Sequence, residues 1–122
     1  MPAWPLYVSA ALSTLWFSAH TFVGGREIIN PLMASKDLNK TTRAVLRMVW
    51  HMVTLTLLLM AILFALAAIT ASREFTIAAT ALSAVICIAG IVTIPLSGTS
   101  FKEAPQGWLF LPSTLLGLYV LL

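Results

Sequence analysis

The stretch MVTLTLLLMAILFALAAI, Met52 to Ile69, contains no charged side chain in eighteen residues. A helix needs roughly 20 apolar residues to cross a bilayer's hydrocarbon core, and about 17 to 25 in practice. With its flanks this stretch predicts a span from Ala44 to Ala71, capped at its start by Thr41 or Thr42. Ser72-Arg73-Glu74 then makes a tight connection to a second apolar stretch, Phe75 to Leu96, ending near Pro95 and Gly98. Upstream, Trp4 to Val23 forms a first span that tolerates Pro2 and Pro5 at its start and stops at Gly24-Gly25. Downstream, Trp108 to Leu122 forms a short fourth span, with Pro105 as an alternative start. The fold class predicted is an all-α membrane protein, one domain over 1–122, with four transmembrane helices in an antiparallel up-down bundle.

Composition agrees. Of 122 residues, 60% are hydrophobic and 9% charged. Soluble domains carry about 25% charged residues, too many for this chain to match with a water-facing surface. The net charge of +3 does not imply nucleic acid, because the basic residues gather in one short segment between apolar stretches. The lone Cys87 lies in an apolar run and forms no internal disulfide. No Lys or Arg precedes Arg26, so residues 1–23 read as a retained helix rather than a signal peptide.

Sidedness follows from the loops. Arg26, Lys36, Lys40, Arg43 and Arg47 belong to the first connection and Lys102 to the third, against Arg73 alone in the second. Positive charge stays inside, so the long first connection is expected in the cytoplasm of a bacterial inner-membrane protein and both termini outside. Within that connection Asn30-Pro31 reads as a turn, and Leu32 to Leu38 as a short interfacial helix.

Helices in lipid associate through small and hydrogen-bonding residues. Four stripes at helical spacing meet that need: Ser9, Ser13, Trp16, His20 and Gly24; Arg43, Arg47, His51 and Thr54; Thr76, Thr80, Ser83, Cys87 and Gly90; and Ser113 with Gly117.

Two histidines stand out, because ionisable residues inside spans are costly. His20 and His51 lie at the same end of adjoining spans, and the stripes bring them together if each faces the interior. One reading is interfacial, with each ring bonded to a carbonyl, hydroxyl or water beside Trp16 and Trp50. A second makes them axial ligands of a b-type haem, with Arg26, Arg43 or Arg47 pairing the propionates. A third is a metal or proton site with Glu27, which falls short of the three or four ligands a metal wants. Arg43 and Arg47 with the preceding lysines also suit anionic lipid headgroups, at about 1 kcal/mol per charge. Gly24-Gly25 has a reading beside helix termination, since exposed amides there suit an anion.

Glu27, Asp37, Glu74 and Glu103 all fall in connections, which argues against a proton-coupled transporter. No phosphate loop, cysteine pair or nucleophile with its base is present. His20-Thr-Phe-Val-Gly-Gly-Arg-Glu-Ile-Ile-Asn-Pro31, then Trp50-His51, resembles a pattern in a family of small bacterial four-helix membrane proteins. Pro105-Gln-Gly-Trp108 resembles their ending. The resemblance implies an inner-membrane bundle without an established activity, and no residue roles. The function expected is a non-enzymatic accessory or structural subunit, or a homo-oligomer. A haem- or quinone-associated electron-transfer anchor built on His20 and His51 comes next, and a small transporter third.

Overall fold

The computed structural model describes all residues, 1–122, and is helical throughout with no strands. Four helices follow one another. α1 runs from Trp4 to Ala34, α2 from Lys40 to Thr70, α3 from Arg73 to Leu96, and α4 from Gln106 to Leu121. The first three are long and apolar enough to cross a membrane. α4 is shorter and opens with a 3₁₀ turn, Gln106–Phe110, before its α-helical part, Leu111–Leu121. α1 packs against α2 and α4, and α3 packs against the same two, so the four close into a ring.

The start and end of each helix have local causes. Asn39, not Thr41 or Thr42, caps α2: its side-chain oxygen accepts from the Thr42 amide at 2.8 Å. Asparagine is the stronger cap, and from position 39 its side chain reaches the amide three residues on. α2 ends at Ala71, whose φ of 51° is left-handed. Ser72 then caps α3, accepting from the Phe75 amide at 3.1 Å. α3 ends as the sequence reads, with Pro95 in the last turn and Gly98 at φ 73°.

The first helix corrects the sequence reading. Gly24-Gly25 does not stop it, and Asn30-Pro31 is not a turn. The chain leaves α geometry at Ala19 and continues as a π-helix through Ile29, then returns to α for Asn30–Ala34. The Asn30 amide bonds the Gly25 carbonyl, five residues back. Pro31 accounts for the last turn of it: it has no amide to donate, and in an α-helix its ring would meet the carbonyl four residues earlier. The wider register relieves that clash and the helix proceeds. Of the expected interfacial helix at Leu32–Leu38, residues 32–34 are instead the tail of α1 and the rest is not helical, so only residues 35–39 connect α1 to α2.

The packing faces are the small-residue stripes. Ser9, Ser13, Thr76, Ser83 and Ser113 are fully buried, and Thr80 and Cys87 nearly so. Ser83 donates to the Phe110 carbonyl at 3.0 Å and meets the Thr114 hydroxyl at 3.0 Å, tying α3 to α4 where α4 changes from 3₁₀ to α. Thr114 bonds the same carbonyl at 2.8 Å. A Cβ on Gly90 would sit 2.5 Å from the Gly107 Cα, so two backbones touch there. The stripe expected on α2 is the exception. Arg47 and His51 are exposed, and the buried face of α2 is Leu57, Met60, Ala61, Phe64, Ala67 and Ala68.

Candidate functional site

The ends of α1 and α2 that hold the histidines form two clefts, one on each side of their contact. Trp50 belongs to the wall of both.

His20 reaches that contact from the start of the π segment. Its ring stacks on the Trp50 indole, with centroids 4.0 Å apart and planes 20° off parallel. Nε2 lies 2.9 Å from the Thr54 hydroxyl and 3.3 Å from the Trp50 carbonyl. The Thr54 hydroxyl itself donates to the Trp50 carbonyl at 3.0 Å. A carbonyl only accepts, so the tautomer that satisfies this triangle carries its proton on Nε2. Nδ1 is then a bare lone pair. Gly24 lies one turn further along α1 against the same indole: a Cβ there would stand 2.9 Å from Trp50 Cη2. That glycine is a seat for Trp50, a role the sequence reading assigned to helix termination.

His20 lines the larger cleft, about 580 Å³, with Trp16, Val53, Leu57, Ile86 and Phe110 among its apolar walls. Glu27 and Gln106 are among its polar members. A volume of a few hundred Å³ with few polar groups is the usual form of a small-molecule site. Nδ1 bonds no group of the chain and is the ring atom left free at this cleft.

His51 lines the other cleft, of about 460 Å³, with Arg26, Arg47, Asn30, Thr21 and Thr54. The two imidazoles therefore face different spaces, separated by the Trp50 wall. Arg43 lies in neither. Its guanidinium donates to the carbonyls of Ser35 at 2.7 Å and Leu38 at 3.1 Å, closing the short connection. The sequence reading treated Arg43 and Arg47 as equivalents, but one is engaged with backbone and the other is free. It also missed Trp50 as the residue against His20. The signal was there: 50, 54 and 57 continue as one helical face into the buried residues 60, 61 and 64.

No cluster of three or more His, Cys, Asp or Glu is placed to hold a metal ion. No family model, curated protein or solved structure matches this chain, so a reading of its function stands on its own residues.

Proposed function

We propose that this protein is a polytopic inner-membrane protein. Its four helices cross the bilayer as an antiparallel up-down bundle, and it acts as a non-enzymatic accessory subunit or a homo-oligomer. One observation carries the reading, an inverted distribution of polarity. Seven of the 21 buried residues are serines or threonines, while Leu55, Ile69, Val85, Ile88 and Leu96 are each more than 60% exposed. Water would penalise that surface heavily, and lipid does not.

The exposed hydroxyls support it. Thr14, Thr70 and Thr93 each donate to the carbonyl four residues back, at 2.9, 2.6 and 2.7 Å. A hydroxyl satisfied by its own helix needs no water. The basic end of the bundle fits the cytoplasmic surface: at about 1.5 Å per residue, α1 and α2 exceed a hydrocarbon core of about 30 Å and carry Arg26, Arg43 and Arg47 beyond it. Trp4 beside Tyr119 and Arg73 bonded to the Leu121 carbonyl fit the opposite end, with both termini outside.

Reporter fusions at Leu38 and at the C-terminus test the topology. The first should read cytoplasmic and the second external; the same side for both removes the four-span arrangement. Alkaline carbonate should leave the protein in the membrane pellet.

A second reading, an anchor for haem or a quinone, is favoured by the open Nδ1 of His20 in an apolar cleft. It rests on His20 without His51. A Soret band in the purified protein, lost in His20→Ala, supports haem, and a colourless protein removes it.

A further inference from the structure

The smaller cleft between α1 and α2 collects Arg26, Arg47 and His51 and contains no carboxylate. Two features make this unusual in so sparsely charged a chain. Glu27, the neighbour of Arg26, lines the other cleft, so the one acid close in sequence is turned away. The remaining arginines are engaged: Arg43 bonds two carbonyls of the connection and Arg73 bonds the Leu121 carbonyl. Arg26 and Arg47 have no such partner. Two guanidiniums sharing a cleft repel each other when it is empty, and an anion between them converts repulsion to attraction. The Asn30 carboxamide and the Thr21 and Thr54 side chains add uncharged polar groups around the same space.

We propose that this cleft binds one phosphate group, as a phosphate ester whose remainder fills the rest of its 460 Å³. Arg26 and Arg47 hold the oxygens as paired charged donors, the geometry that guanidinium planes favour for phosphate. His51 and Asn30 supply further donors. The site needs the α1–α2 contact but not the topology proposed above, so it can be tested in detergent whichever way the bundle is inserted. Its source is either a phospholipid headgroup or a soluble phosphate ester, since both present the same oxygens.

Trp50 borders the cleft and reports on it. The experiment titrates the full-length protein in neutral maltoside micelles with short-chain phosphatidylglycerol, then with glycerol phosphate, following tryptophan fluorescence. Saturable binding of one equivalent of the lipid, unaffected by glycerol phosphate, assigns a headgroup. Saturation by glycerol phosphate, or displacement of the lipid by it, assigns a soluble ester. Either Arg26→Gln or Arg47→Gln should weaken binding about ten-fold, the loss of one charge-assisted bond. Lys102→Gln removes the same charge elsewhere and should leave affinity within two-fold. Equal weakening by all three variants, or no saturable binding of either probe, overturns the proposal. Unchanged far-UV circular dichroism of each variant separates loss of the site from loss of the fold.

Discussion

At the crossing of α3 and α4, Gly90 and Gly107 touch backbone to backbone, and the contact is reciprocal. A Cβ on Gly107 would lie 2.8 Å from the Cα and carbonyl carbon of Gly90 and from the Ile91 nitrogen. A Cβ on Gly90 would lie 2.5 Å from the Gly107 Cα. All of these neighbours are main chain, so no side chain can turn aside. The helices themselves must part until those separations reach at least 3.4 Å. Forcing a methyl into a closed core costs about 1–3 kcal/mol. Alanine recovers about 1 kcal/mol of helix propensity at Gly90, inside α3, and little at Gly107, in the 3₁₀ turn. Gly90→Ala is therefore expected to lose about 0–2 kcal/mol and Gly107→Ala about 1–3 kcal/mol. Both substitutions open the same gap, so the double variant should fall short of their sum by about 1 kcal/mol or more. Unfolding by SDS in mixed micelles, followed by far-UV circular dichroism, measures all three. If both single variants match or exceed the parent, or if the double is additive, these backbones are not in contact.

Other features give their own outcomes. Ser83→Ala removes the polar link between α3 and α4 and should cost about 0.6–1.7 kcal/mol in the same assay, with Ser83→Thr partly restoring it. Ala71→Gly should stabilise the protein by about 1 kcal/mol, because a left-handed alanine is strained and glycine is not; a loss of stability there would show that the α2–α3 turn is not left-handed. Ser72→Ala should cost about 1 kcal/mol by removing the cap of α3, and Ser72→Asp much less. The Glu74 carboxylate sits below the usual range because its own amide and the Ser72 hydroxyl hydrogen-bond it. A lowered folded pKa gives stability that is full above the unfolded value and lost as pH falls through the folded one. The stability difference between the parent and Ser72→Ala, measured by SDS unfolding at each pH, should therefore shrink as pH falls through the carboxylate range. Thr54→Val should cost about 1 kcal/mol and leave His20 Nε2 with the Trp50 carbonyl alone; the imidazole carbon resonances of His20 in NMR should move, and those of His51 should not.

Much of the bundle was legible in the sequence because it rests on counting. Spans two and three stood out as long uncharged runs, and the stripes at steps of three and four turned out buried or half-buried on α1, α3 and α4. Local cues near α1 failed for physical reasons. Gly24 and Pro31 carry strong stop signals, yet Gly24 is needed for the approach of Trp50 and Pro31 is accommodated by a change of hydrogen-bond register. Neither can be read without knowing what lies across the helix. The α2 stripe failed because charged residues at helical spacing mark a face without saying which way it turns. The buried apolar face that follows it decides the rotation, and it puts Trp50 and Thr54 against α1 and leaves Arg47 and His51 on the rim.

The π segment of α1 also changes what a residue count means in this protein. Elsewhere, deleting one residue turns everything beyond it by about 100° and moves a whole face off its partner. Such a loss within Leu57–Ala68 of α2 would carry the buried face to the outside of the bundle. Between Ala19 and Ile29 the helix already holds more residues than α geometry needs for the same turns. A deletion there can be taken up by returning part of the segment to α form, with Ser9 and Ser13 undisturbed. The same slack makes this the stretch where the chain can lose a residue and keep its bundle.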